Sequence, residues 1–383
     1  MTAYLATVQM EKGIEAGDWA DWRWHMQNRI RSLDGLKTWI NVTAEEADAI
    51  SAIKDRYSWW ITPYYASLMD PDDTHCPIRL QALPATAEMT LDHAAGVDPV
   101  GDRKFRVTNR VIHKYPDRAI LLVTSLCPVL CRFCTRKHHT TALDSTYFGE
   151  GESSSWDQDF DYLRKTVSVR DVLLTGGDPF SYNDHKLQRI IAELRSIPHI
   201  EIIRIGSRFP ALLPQRITPS LAEMLEKYHP IWVNTHFNHP RELTSEAMRA
   251  CDLLLRHGIP VGNQTVLLKG VNDDLATMRA LCHRLVQARV RPYYIYHCDN
   301  VEGVSHFQTT IGAGQTIMRG LIGYTTGFAI PQYVITTEAG KISLSEDNLL
   351  GFEDEGRSVR LRSYTGDIVV VPTRPEPREK TVE

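Results

Sequence analysis

Apolar positions along the 383-residue chain fall into three regimes. Up to about residue 110 they recur at helical spacing, in stretches such as WADWRWHMQNRIRSL and EEADAISAIKDRYSWW, before a Pro- and Asp-broken connector around MDPDDTHCP. This predicts a mainly helical region, either an appendage or one face of an interface. From Arg118 the pattern changes to six short apolar runs, AILLVTS, DVLLTGG, IEIIRIGS, IWVNTHF, VGNQTVLLK and VRPYYIYH. Between them lie amphipathic helical stretches, among them HKLQRIIAELRSI, PSLAEMLEKY, TSEAMRACDLLLRHG with a Gly stop signal, and LATMRALCHRLVQARV. Such alternation implies parallel strands joined by right-handed crossovers. Periodicity suits an open doubly wound sheet as well as an incomplete barrel. Nearly every run ends in Cys, Gly, Asp, Ser, His or Asn at its C-terminal side, where barrels build their active sites, and this favours the barrel.

Past residue 300 come a Gly-rich helical stretch, a loop around Pro331, and the alternating runs YVITT, SVRLRS and DIVVV, which predict a small β-containing appendage. The last residues, TRPEPREKTVE, read as a disordered tail. The expected organisation is α/β: a helical region over 1–110, a partial (β/α)6 barrel over 111–300, a small α+β appendage over 301–372 and a flexible tail over 373–383.

Composition narrows the class. Apolar residues make up 43% and charged residues 23%, and no apolar run approaches the roughly 18 residues of a membrane span. The N-terminus, MTAYLATVQMEKGIEAGDW, has acidic residues and no basic and apolar leader, so a cytoplasmic, non-membrane protein is expected. A net charge of -4 gives no global basic field, so nucleic acid is not the expected partner. Of seven cysteines, three crowd into CPVLCRFC while Cys76, Cys251, Cys282 and Cys298 are scattered. That distribution suits metal chemistry in a reducing compartment better than a disulfide framework.

Cys127, Cys131 and Cys134 follow directly on the apolar run AILLVTS. A [4Fe–4S] cluster usually takes four thiolates, so three ligands in one loop leave one iron open to chelate another molecule. A structural zinc site completed by His138 or His139 is the plainer alternative. The CxxxCxxC spacing, with Phe133 before the last cysteine, resembles the signature of the radical S-adenosylmethionine superfamily. The resemblance implies that the open iron binds S-adenosylmethionine and that an electron from the reduced cluster cleaves it to methionine and a 5′-deoxyadenosyl radical. TGGDP, with Gly176, Gly177 and Asp178, is similar to the superfamily's Gly-rich strand end near the methionyl amino group, and the six strands agree with its incomplete barrel.

A narrower resemblance runs from about residue 17 to 337. WRWHMQNRIRSLDGL, ITPYYASLMDPDD, HKYPDR, CRFCTRK, DVLLTGGDP, RIGSRFPALLPQRITP, NTHFNHP, GNQTVLLKGVND and RPYYIYHCD resemble, in order, the lysine 2,3-aminomutase family. This implies pyridoxal 5′-phosphate as a further cofactor and Lys341 in TTEAGKISL as the lysine that forms its Schiff base. A desolvated ammonium that loses its proton readily suits that role. It implies that Lys114, Tyr115 and Arg118 belong to the phosphate-binding stretch, Lys114 standing where lysine enzymes commonly carry arginine. Arg136 matches the family's grip on the substrate carboxylate; otherwise it reads as part of a solvated basic loop with Arg132 and Lys137. Ser207, His236 and Gln264, at successive strand ends, match positions lining the S-adenosylmethionine site.

Two departures follow from the same resemblance. The family's lysine enzymes hold the distal ammonium with two aspartates; Asp299 matches one, and Thr336 stands at the other, with Glu338 a substitute if its loop turns inward. No cysteine follows Cys298, and Asp274 stands where the family has a zinc-binding cysteine, so no zinc is expected. The implied reaction moves the α-amino group of a basic L-amino acid, arginine or lysine, to the β-carbon, with an external donor of flavodoxin or ferredoxin type and a homo-oligomeric assembly. Desaturation of such a substrate, or a non-catalytic metal-binding protein, are the alternatives.

Overall fold

The computed structural model describes residues 8–90, 92, 95–140, 155–344, 348–354, 357–363 and 365–372. The tail expected over 373–383 lies outside them.

A nine-stranded sheet organises the chain: β1 (Val111–Tyr115), β2 (Arg118–Thr124), β3 (Asp171–Gly176), β4 (Ile202–Gly206), β5 (Ile231–Thr235), β6 (Val261–Leu267), β7 (Arg291–His297), β8 (Gln332–Thr337) and β9 (Gly340–Ser343). The spatial order follows the sequence from β1 to β9. β2 to β8 pair in parallel, while β1 and β9 are antiparallel at the two ends. A doubly wound sheet reverses its strand order partway, whereas an unreversed order winds one way and curls the sheet. This decides for the partial barrel. Its two ends meet around Tyr115, whose hydroxyl accepts from the Lys341 amide at 3.0 Å, and Lys114, whose ammonium donates to the Thr337 carbonyl.

The crossovers are α1 (Asp157–Lys165), α2 (Asp184–Arg195), α3 (Pro219–Glu226), α4 (Ser245–Arg256), α5 (Leu275–Gln287) and α6 (Ile311–Leu321). From α2 on, each starts at a side-chain cap, Asn183, Thr218, Thr244, Asp274 and Thr310 in turn. Asp274 is thus a helix cap, accepting from the Thr277 amide at 2.9 Å.

The main core lies between sheet and helices: Val172, Leu174, Ile203 and Ile205 of the sheet pack with Leu187, Ile191, Leu221 and Leu254. The alternate strand positions, Asp171 and Thr175 of β3, Arg204 and Gly206 of β4, Gly262 and Gln264 of β6, are only half-buried. They line the inside of the curl, so the barrel encloses a lumen rather than a packed interior.

The structure extends the sheet beyond the six predicted strands, because YVITT, assigned from sequence to the appendage, pairs in parallel with β7 as β8. The remaining runs form a separate antiparallel sheet of β10 (Leu349–Glu353), β11 (Ser358–Arg362) and β12 (Ile368–Pro372). Among the described residues, no helix is long and apolar enough to cross a membrane.

Candidate active site

The cysteine loop leaves the end of β2 and is tied to the N-terminal region. Arg29 and the Trp60 indole donate to the Cys127 carbonyl at 3.2 and 2.9 Å, and the Arg132 amide donates to the Gln81 carbonyl at 3.0 Å. Arg132 and Lys137, which only the alternative reading of Arg136 placed in a solvated loop, are fully buried and converge on Glu88 at 2.5–2.9 and 2.6 Å. Burial alone would raise the Glu88 carboxyl, but the two cations overcome it and hold it down to about 2. Burial pulls Lys137 to about 8 against the attraction of Glu88. The helical region is therefore the clamp of this loop rather than an appendage.

Burial pushes the Cys127 and Cys134 thiols up; Asp178 adds to the effect at Cys127, and neighbouring cysteine sulfurs add to it at both. A site with three nearby sulfurs in this setting fits a group that brings its own positive charge. Among the described residues no group of three or more His, Cys, Asp or Glu converges on a point that could hold a single metal ion. A cubane, whose irons occupy separate corners, does not require such convergence.

The end of β3 packs hard against the same loop. A Cβ on Gly176, at φ +118°, would lie 2.6 Å from the Thr124 carbonyl oxygen, and one on Gly177 would lie 2.4 Å from that of Leu126. Both glycines are thus required by the close approach of backbone to backbone. Asp178, pushed up to about 6 by burial, accepts from the Arg208 amide at 2.6 Å and interacts with the Ser207 hydroxyl. Ser207 and His236 directly follow β4 and β5, and Phe133 of the cysteine loop meets the His236 ring edge-on at 5.5 Å. Burial, reinforced by Arg208, lowers His236 to about 3 and keeps it neutral. Gln264 faces the lumen on β6, opposite Tyr294 of β7. The predicted positions Gly176, Gly177, Asp178, Ser207 and His236 therefore gather around the cysteines, with Gln264 along the adjoining wall.

Arg208 was missed by sequence reasoning. It is buried, and its Nη1 donates to Cys131 Sγ at 2.8 Å. The available signal was a second basic residue beside the strand-end serine of RIGSR, but which basic residues are buried is a tertiary fact.

On the seam of the barrel, Lys341 extends from β9 into the open lumen, its Nζ 5.1 and 5.5 Å from the centres of the Tyr294 and Tyr296 rings. Desolvation, then Arg204, Arg118 and Lys114, lower its ammonium to about 8. Arg118 stacks over the Tyr115 ring at 4.0 Å. Lys114, Tyr115, Arg118 and Lys341 thus come together, and Arg204, anchored to Asp171 at 2.7 Å, joins them without having been predicted. This concentration of cations suits a phosphate.

Between this group and the cysteines, Arg136 Nε donates to Asp102 Oδ2 at 2.8 Å. Asp299 accepts the Thr135 hydroxyl on Oδ2 at 2.6 Å, while its buried Oδ1 has no hydrogen-bond partner. Desolvation pushes Asp299 up to about 6, moderated by Thr135 and Arg136. Thr336 pairs with Lys341 across the β8–β9 hairpin. Glu338 does not turn inward: it is exposed and bonds Lys104 at 2.9 Å.

The radical SAM superfamily model matches residues 121–281. The L-lysine 2,3-aminomutase of Fusobacterium nucleatum subsp. nucleatum is 43% identical over 366 residues, 96% of this chain and 84% of that protein. That of Clostridium subterminale is 46% identical over 332 residues, 87% and 79% of the two chains. The glutamate 2,3-aminomutase of Clostridioides difficile (strain 630) is 38% identical over 360 residues, 94% and 84%. With cysteine loop, glycine-rich strand end and barrel in place, the chain belongs to the lysine 2,3-aminomutase family of radical S-adenosylmethionine isomerases, which work with a [4Fe–4S] cluster, S-adenosylmethionine and pyridoxal 5′-phosphate.

Proposed function

We propose that this enzyme moves the α-amino group of a basic L-amino acid, arginine or lysine, to its β-carbon. The observation that carries this reading is Asp299, a buried carboxylate with one oxygen bonded to Thr135 and the other unpartnered. Such a group is costly until a cation reaches it. Thr336 offers a hydroxyl in place of a second carboxylate, which favours arginine: one carboxylate can take two N–H bonds from a planar guanidinium, but only a point contact from an ammonium.

In this reading Cys127, Cys131 and Cys134 hold the cluster, and Gly176, Gly177, Asp178, Ser207, His236 and Gln264 line the S-adenosylmethionine site. Lys114, Tyr115, Arg118 and Lys341 hold pyridoxal phosphate, and Arg136 takes the substrate carboxylate. When bound, these groups supply a carbon radical for hydrogen abstraction and a carbonyl carrier on which the amino group changes position.

The protein's own residues do the rest. Lys341 Nζ, lowered to about 8 by desolvation and three cations, gives up its proton as pH rises through about 8, well below the ordinary lysine range, and then becomes nucleophilic. Asp102 accepts from Arg136 Nε at 2.8 Å and so restricts how the guanidinium can turn. Tyr294 and Tyr296 flank Lys341 and, with the rest of the lumen wall, limit the water beside a reactive carbon centre. Reduction draws on an external donor of flavodoxin or ferredoxin type, and the working unit is a homo-oligomer in the cytoplasm, where crowded thiols stay reduced.

The test is anaerobic incubation with dithionite, S-adenosylmethionine and pyridoxal phosphate against arginine, lysine and glutamate, with products read by mass spectrometry. A β-amino isomer of unchanged mass from a basic substrate is expected. Turnover of glutamate alone, or loss of two hydrogens from the product, would overturn the assignment.

A further inference from the structure

Cys131 differs from the other two cysteines of its loop in the company its sulfur keeps. Arg208 Nη1 lies 2.8 Å from Cys131 Sγ, while Cys134 Sγ has the Thr140 hydroxyl at 3.8 Å. Every other edge of the Arg208 guanidinium is also engaged. Nε donates to the His236 carbonyl at 3.1 Å, and Nη2 to Gln81 Oε1 at 2.5 Å and to Glu242 Oε1 at 2.7 Å. One face covers the Phe133 ring at 5.0 Å. Glu242 is itself fully buried and saturated, accepting from the Tyr65 hydroxyl at 2.8 Å and from the Asn238 and His239 amides at 2.6 and 2.9 Å. The guanidinium therefore cannot swing away without breaking buried, charge-assisted bonds, and it remains aimed at one sulfur.

We infer that Arg208 is a positioning residue that donates to the Cys131 sulfur in the loaded enzyme and sets how readily the cluster is reduced, with Glu242 balancing its charge. Hydrogen bonds to ligand sulfurs and the local net charge are the protein's levers on the potential of an iron–sulfur cluster. Reduction adds one negative charge to the cluster, and a cationic donor on its sulfur stabilises that added charge. Arg208 raises the potential and Glu242, acting through Arg208, restrains the rise. The inference rests on Cys131 being a cluster ligand.

The experiment compares reconstituted wild-type protein, Arg208→Gln, Arg208→Lys and Glu242→Gln, measuring iron and sulfide content together with the midpoint potential by redox titration followed by electron paramagnetic resonance. Arg208→Gln is expected to lower the potential enough to cut the reduced-to-oxidised ratio at a fixed poise at least tenfold, about 59 mV for a one-electron couple. Arg208→Lys should fall between it and wild type, and Glu242→Gln should move the potential upward. A role confined to packing would not move the two partners in opposite directions. Full iron content with an unmoved potential in Arg208→Gln would overturn the inference. So would folded Arg208→Gln and Arg208→Lys proteins that both fail to hold iron, because Arg208 would then serve assembly. Absence of iron from wild-type protein would instead sink the cluster reading.

Discussion

Thr336 and Lys341 are direct partners in the antiparallel pairing of β8 with β9. Directly opposed residues on such a ladder share a face at close range. The position at which the family's lysine enzymes carry a second aspartate is thus beside the side chain proposed to anchor pyridoxal phosphate. Restoring the acid with Thr336→Asp should raise kcat/KM for lysine relative to arginine about tenfold, or about 1.4 kcal/mol. Competition assays with both amino acids measure the ratio, and an unchanged ratio would remove Thr336 from the substrate pocket.

Asp299→Asn keeps the shape and removes the charge. KM for a basic substrate should rise by about 100-fold, the scale of losing one partner of a buried ion pair. Because burial pushes the Asp299 carboxyl up to about 6, it is charged above that pH and neutral below it. KM in the wild type should therefore climb as pH falls through about 6, and Asp299→Asn should flatten that limb.

Lys341→Ala should abolish the visible absorption of lysine-bound pyridoxal phosphate. In the wild type the ammonium is lowered to about 8, so the rate of cofactor capture should increase as pH rises through about 8 and level off above it. Stopped-flow absorbance reads this directly; a mutant that still binds covalently would relocate the anchor.

Glu88→Gln leaves Arg132 and Lys137 buried without their common counter-charge. A loss of about 3–5 kcal/mol in urea unfolding is expected, with weaker iron retention. The Glu88 carboxyl is held down from 4.5 to about 2, so the stability it contributes is complete above pH 4.5 and is lost as pH falls toward 2. Acid unfolding curves of the two proteins should converge over that window.

Gly177→Ala would place a methyl 2.4 Å from the Leu126 oxygen and 2.6 Å from the Ser125 carbonyl carbon. The cysteine loop must then move away from β3. Iron content should fall well below that of wild type while the far-UV circular dichroism is retained; full iron loading would mean that the loop yields easily.

Much of this was legible in the chain. The six β runs and the helices between them appear where the period of apolar residues predicts, because side chains at 2.0 and 3.6 residue spacing bury one face each. The cysteine triplet was legible because its three members are neighbours in sequence. The clamp on the triplet was not: Glu88 lies 44 residues from Arg132 and 49 from Lys137, and nothing local marks those cations as buried. The strand YVITT was misplaced for a related reason, since joining the barrel beside β7 rather than the separate sheet of β10 to β12 is a matter of sheet curvature, not of local pattern.

The sequence by itself determined the alternation of strands and helices, the three sulfurs of one loop and the order of residues along the barrel rim. These depend on neighbours along the chain, whose spacing fixes geometry directly. Only the tertiary structure decided that the helical region grips the cysteine loop, that Arg208 points at Cys131, and that Lys341 closes the seam beside Thr336 and Tyr115. Each of those joins residues far apart in sequence, and their placement follows from how the sheet curls and which charges burial forces to pair.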